Sequence, residues 1–256
     1  MTIATRRGLV LAAGILLGWL GSWMVLLPTS LAQLPLALVV FAVLARTWLH
    51  TGLFIVAHDA MHGTLWPDGE GANRRVGELA LLVYAALPYG RCRANHLLHH
   101  RHAGGSGDPD HHGEGAGSAL SWYRGFMAAY LSAGQLTALV LTWLVLAGVG
   151  SVLSSSPVAN VVLYGVLPVL LSSLQLFLVG TYLPHLEGAD GPSGEHVPRS
   201  LDLPGWLSLL ACFHFGYHWE HHAYPELAWH ALPGARRRGK RGVGCAATVA
   251  LSLSGR

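Results

Sequence analysis

Histidines carry the chemistry that this sequence could perform. His58 and His62 stand four apart in HDAMH. His96, His99 and His100 form HLLHH, with His102 two residues on. His218, His221 and His222 form HWEHH, with His214 four residues upstream, and His185 closes the segment TYLPH. Residues three and four apart share a helix face. His58 and His62 therefore point one way, while His99 and His100 splay about 100° apart on the face they share with His96. His214, His218, His221 and His222 read as one continuous helical stripe. Imidazole is largely neutral at pH 7 and is the commonest protein metal ligand. The groups hold more rings than the four that tetrahedral zinc takes, so they suit two metal ions. They include no cysteine, which excludes a thiolate site. The zinc-protease signature HExxH is missing, because Asp59 and Trp219 follow the first histidine of their boxes. By affinity order copper and zinc compete with iron at imidazole ligands, and the residues alone leave that choice open.

Single histidines near a membrane boundary are more often hydrogen-bonded or interfacial. His50, His111, His112, His196 and His230 are read that way. Aromatic residues near the boxes (Trp48, Phe54, Trp122, Tyr123, Phe126, Phe177, Tyr182, Phe213, Phe215 and Tyr217) are candidates for a channel lining, with ordinary packing as the plainer role.

The elements that must position these rings lie in an apolar chain. Of 256 residues 11% are charged, against about 25% in a soluble domain, and 52% are hydrophobic. Mean hydropathy is +0.42. Disorder and a soluble globule are both excluded by that balance. Net charge is +3 with scattered Lys and Arg, so no nucleic-acid partner is expected. Cys92, Cys212 and Cys245 form no CxxC and no disulfide-framework pattern, and are read as small apolar fillers.

Residues 8–27 carry no charge and would span about 30 Å as a helix. Residues 34–57 form a second span, interrupted by Arg46 and His50. A central Arg costs about 2.5–3.5 kcal/mol to insert, so Arg46 must face protein or a polar cavity. Residues 125–186 lack Asp, Glu, Lys and Arg, and a Gly/Ser/Pro break near 148–157 divides them into spans at 126–147 and 158–183. The apolar stretches 79–88 and 203–213 are too short to cross and lie in the interface or dip in and return.

Arginines precede the first span, fill the segment between the second and third, and follow the fourth, while loops 28–33 and 148–157 are uncharged. The positive-inside rule then places both termini and the long middle segment in the cytoplasm. Every histidine but His50 falls on that side. The expected fold is an all-α integral membrane protein with four transmembrane helices in two hairpins and a cytoplasmic helical cap carrying the boxes. Residues 1–234 form one domain. Residues 235–256 form a basic, disordered tail, whose cluster Arg236, Arg237, Arg238, Lys240 and Arg241 suits anionic lipid.

The segments TGLFIVAHDAMHGTL (51–65), NHLLHHRHAG (95–104), DPDHH (108–112), LPVLLSSLQLFLVGTYLPH (167–185) and FHFGYHWEHHAYPELAWHALP (213–233) carry a resemblance. They are similar to the bacterial and cyanobacterial β-carotene ketolases, of the membrane-bound di-iron fatty acid desaturase and hydroxylase superfamily. The likeness runs from about residue 8 to 233 and stops after Gly234. It implies two non-haem iron ions held by His58, His62, His96, His99, His100, His185, His214, His218, His221 and His222. It also implies that His102, Asp108 and Asp110 orient those ligands. Asp59 and Glu220 stand beside ligands in the sequence and read either as further orienting groups or as helix-surface charges. The implied reaction is an O2-dependent oxidation of C4 and C4′ of the β-ionone rings, by successive hydroxylations and dehydration, taking β-carotene through echinenone to canthaxanthin. The same oxidation of zeaxanthin would give astaxanthin. The implied setting is the inner cell membrane, with the carotenoid dissolved in the bilayer. No GxGxxG follows a strand pattern and no Cys-cluster or haem module is present, so electrons come from a separate donor such as ferredoxin. Two other readings stay open at this point. One is another membrane di-iron enzyme, a carotenoid hydroxylase or fatty acyl desaturase. The other is a His-rich metal transporter, against which the histidine-free stretch 126–183 argues.

Overall fold

The computed structural model describes residues 2–105, 107–111, 118–186, 189–190 and 196–239. In chain order the longer helices are α1 (Ile3–Leu26), α2 (Leu36–Met61), α3 (Glu70–Ala85), α4 (Tyr89–His102), α5 (Ala119–Tyr130), α6 (Ala133–Leu153), α7 (Pro157–Leu186), α8 (Gly205–Cys212) and α9 (His218–Ala223). A two-residue antiparallel ladder pairs Ala189 with Val197. Four of the helices, α1, α2, α6 and α7, are long and apolar enough to cross a bilayer. The chain is an all-α integral membrane protein. Half of α2 is buried inside the protein, against 6% of α6. The core lies where α2 meets α3, α7 and α8, around Leu53, Ile55, Leu81, Leu176 and Cys212.

The third span differs from the expected 126–147. α5 ends at Tyr130, and a new helix starts at Ala133. Ser132 Oγ accepts from Gln135 N (3.3 Å), and Gln135 Oε1 accepts from Ser132 N (2.6 Å). This reciprocal capping box starts a helix inside a run that holds no charged residue to mark the boundary.

Arg46 meets its expectation. It is 1% exposed, and its guanidinium donates to the carbonyls of Tyr164 (2.6 Å) and Trp19 (3.0 Å). Its Cζ lies 4.2 Å from the Trp23 ring centre. Tyr164 sits in one of two π-helical stretches of α7, Val162–Val166 and Phe177–Tyr182. A π-turn loosens the regular carbonyl ladder, and the arginine supplies a donor there. His50 accepts from Trp19 Nε1 (3.1 Å) and stacks on Tyr84, so it belongs to the packing of the spans.

The expected stripe from His214 to His222 does not form. Phe213 and His214 have φ of +48° and +64°. This left-handed pair ends α8 and turns the chain, and α9 begins only at His218. At the C-terminal end, residues 232–239 are helical, Ala235 is buried, and Arg236 donates to Glu220 Oε1 (3.0 Å) and Asp202 Oδ1 (3.2 Å). The expected tail, 235–256, therefore starts inside a helix, and its part from 240 on lies outside the described residues.

Close approach at Gly180 sets the distance between α7 and the loop before α9. A Cβ there would stand 2.4 Å from Phe215 Cδ1. Phe215 in turn packs edge-on against His58, with ring centres 4.7 Å apart. Gly180→Ala is expected to destabilise the protein by about 1–3 kcal/mol through overpacking. Gly14→Ala on α1, where a Cβ meets nothing within 4 Å, should be neutral or stabilising. Unfolding midpoints of the two variants in detergent check the contrast.

Candidate metal centre

Four chain segments deliver histidines to one place. His58 lies in the last turn of α2 with His62 just past its end, His96, His99 and His100 lie in the last two turns of α4, and His185 lies one residue before the end of α7. The six-residue α9 supplies His218, His221 and His222. Their rings sort into two groups. His58, His62, His96, His100 and His221 form one, and His99, His185, His218 and His222 the other. Within each group the ligand atoms lie within 4.8 Å of one another. Adjacent residues separate: His99 and His100 serve different groups, as do His221 and His222. A helix turns about 100° per residue, so each HH pair straddles the two groups.

The contacts run through Nε2. In the five-membered group His62 meets His96 at 2.7 Å, His100 meets His221 at 2.8 Å, and His58 meets His221 at 3.1 Å. In the four-membered group the pairs His99–His222, His185–His218 and His218–His222 all stand at 3.1 Å. Burial lowers these imidazole pKa values: His62, with Arg93 adding to the effect, falls to about 4, and His100, beside His62, to about 3. Burial first and neighbouring imidazoles second hold His96, His218, His221 and His222 well below the ordinary range. Neutral rings are the ligating form.

Such rings do not satisfy one another. A hydrogen bond uses one N–H and one lone pair, yet His221 Nε2 faces both His58 and His100. Converging lone pairs need a cation. The separations also agree with the edge of about 3 Å expected around a metal with nitrogen bonds of about 2.1 Å. Two adjacent all-nitrogen sets fit a non-haem pair of iron ions.

The other predicted residues take several places. Asp108 accepts from His99 Nδ1, with both carboxylate oxygens at 2.9 Å, and from the backbone N–H groups of Gly104 and Asp110. Although burial opposes it, this pairing raises the His99 pKa and lowers that of Asp108. The His99 proton is thereby fixed on Nδ1, and Nε2 faces its group. Asp110 accepts from Tyr130 OH (2.7 Å), and its carbonyl accepts from Trp122 Nε1 (2.8 Å). α5 thus clamps the loop that carries both aspartates. Asp59 is buried 3.8 Å from His58 Nδ1 and accepts from Trp229 N. Glu220 turns away from the rings toward Ser200 and Arg236. His102 is exposed, and His214 stacks on Tyr217 (10° between planes) and Trp229; among the described residues neither joins a group. Sequence reasoning missed Tyr130 and read Arg236 as a lipid contact. Neither carries a local motif, and their partners are far away in the chain.

An apolar cavity of about 170 Å³ ends on the site. His96, His99 and His218 border it, with Phe54, Phe126, Tyr130, Leu139, Trp143 and Phe215 along its walls. Three of the ten aromatic candidates therefore line it, Phe54, Phe126 and Phe215.

Comparison with known proteins agrees with this geometry. The profile of the fatty acid desaturase family matches residues 33–139 and 118–246. A β-carotene ketolase of Paracoccus sp. (strain PC1) is 39% identical over 93% of this chain and 95% of its own length. Another, from Paracoccus sp. (strain N81106 / MBIC 01143), is 37% identical over 92% of this chain and 94% of its own. A zeaxanthin 4-ketolase of Chlamydomonas reinhardtii is 35% identical over 85% of this chain and 49% of its own. With nearly full-length relatives and a histidine-rich centre at the ends of its membrane helices, the chain belongs to the fatty acid desaturase family.

Proposed function

We propose that this chain is a β-carotene ketolase that oxidises C4 and C4′ of the β-ionone rings, forming echinenone and then canthaxanthin. The observation that carries this reading is the apolar cavity bordered by His96 and His99 at one end, in a chain that aligns almost end to end with two β-carotene ketolases. Each hydroxylation balances as one C–H bond, O2, two electrons and two protons going to one C–OH and water. A second hydroxylation at the same carbon gives a geminal diol, which loses water to become the ketone.

An allylic C–H bond is inert to any protein acid or base, and a bound pair of iron ions would supply the oxidising power. His58, His62, His96, His100 and His221 would hold one ion, and His99, His185, His218 and His222 the other. The residues then bind, orient and exclude. The aromatic walls receive the hydrocarbon ring and keep water from it. Asp108 holds the proton on His99 Nδ1 and fixes that ring's direction. Tyr130 and Trp122 hold the Asp108–Asp110 loop in place.

The spans form two hairpins in the inner membrane, with both termini and the metal-binding cap in the cytoplasm. The uncharged loops 28–33 and 148–157 and the arginines at the opposite ends support this. Electrons come from a separate carrier such as ferredoxin. The desaturase-like domain comprises residues 1–234 with the helix that runs to 239.

Expression in bacteria that accumulate β-carotene tests the function. Chromatography and mass spectrometry should find echinenone and canthaxanthin. Hydroxylated carotenoid without ketone, or unchanged β-carotene with iron bound, would overturn the reading. Asp108→Asn should weaken iron retention about 10–100-fold in competition with a chelator. Truncation after residue 241 should leave pigment conversion intact, whereas truncation after Gly234 removes Arg236 from buried Glu220 and should lower the unfolding midpoint in detergent.

A further inference from the structure

The histidine groups have two neighbouring cavities of opposite character. The apolar one opens among α5, α6 and α7. The other, about 600 Å³, lies where the end of α2 meets α3 and α4, with Glu70, Asn73, Glu78, Arg93 and His62 on its walls. Met61 is 2% exposed and lines both, so the two cavities approach each other at this residue. Of the nine grouped histidines, His62 is the one that lines the polar cavity, and it is half-buried while His58 and His221 are buried.

A buried metal site needs a way in. A divalent cation gives up its hydration to cross an apolar wall, and that penalty grows with the square of its charge. The apolar cavity is closed to it on that ground. The polar cavity is wide enough to keep a hydrated ion in water up to His62, and carboxylates stand on its walls.

We propose that the polar cavity is the route by which hydrated ferrous iron reaches the histidine groups, with His62 as its first ligand. This rests on the reading that the groups hold iron. Arg93 works against the passage of a cation: its Nε donates to the Met61 carbonyl (3.1 Å), which keeps its charge beside His62. Glu78 is tied to Arg74 (2.7 Å), which leaves Glu70 as the carboxylate that guides the ion.

Two glycines permit a direct test. Gly71 and Gly90 line the cavity, and a Cβ on either meets nothing within 4 Å. Purified full-length protein carrying its iron is exposed to isotope-labelled ferrous iron without oxygen, and label incorporation is followed. Gly90→Phe should slow exchange about tenfold or more while iron per chain stays the same, and Arg93→Gln should speed it. Leu136→Trp, on the wall of the apolar cavity, should leave the exchange rate unaltered. Equal exchange in Gly90→Phe and the parent, or equal slowing by Leu136→Trp, overturns the route. Should Gly90→Phe fail to fold, Gly71→Cys in a Cys245→Ser chain can be blocked after folding with a bulky charged thiol reagent. Exchange is then compared in the same protein before and after, and an unchanged rate overturns the route. A parent protein that holds no iron at equilibrium overturns the metal reading itself.

Discussion

Nine imidazoles drawn together inside a protein make a demand that the protein alone does not meet. Their Nε2 atoms approach to 2.7–3.1 Å, and burial holds the rings outside the spans neutral or, at His99, paired with a carboxylate. Unmatched lone pairs in a dry interior are costly, and a cation is the partner that relieves several at once. The rest of the fold serves to bring them together. α2 and α7 must end at the same level. α4 must start close beneath α3, and α9 must be short enough to turn three rings inward between the other segments of chain. The adjacent pairs His99–His100 and His221–His222 let two short helices serve both groups.

Holding the ends of α2 and α7 level requires polar contacts within the membrane-spanning part, where hydrophobic packing alone distinguishes little between registers. Thr51 Oγ1 of α2 stands 2.9 Å from Ser172 Oγ and 2.5 Å from Gln175 Oε1, both on α7. Arg46 joins α2 to the π-helical Tyr164 of α7 and to Trp19 of α1. The second π-stretch ends at Tyr182, just before Pro184 and His185. A π-turn shifts the angular register of the residues after it, and His185 lies within one turn of this one. The arginine, an insertion cost when read from the sequence alone, is thus one of the pins that align the two helices bearing His58 and His185.

Much of this was legible in the chain, for identifiable reasons. Three- and four-residue spacings report a shared helix face wherever a helix exists, so His58 with His62, and His96 with His100, could be placed together. Long uncharged runs report spans. What escaped was set by a single backbone turn or by distant partners. The left-handed Phe213–His214 pair removes His214 from a stripe that spacing alone would grant it. The Ser132–Gln135 box divides an uncharged stretch that reads as one span from 126. Arg236 sits in a basic cluster like any lipid-binding tail, and only the buried Glu220, 16 residues earlier, shows its role.

The level of the site suits the reaction proposed for it. A carotenoid ring is dissolved in the bilayer, whereas protons and electrons are delivered from the aqueous side. A centre in the middle of the membrane would receive the ring and starve of protons; one on the surface would do the opposite. The histidines are placed at the ends of α2 and α7, with an apolar cavity bordered by His96 and His99 and a polar one bordered by His62. Met61, next to His62 in the chain, lines both, so the hydrocarbon and aqueous sides of the centre meet within one residue of a ligand.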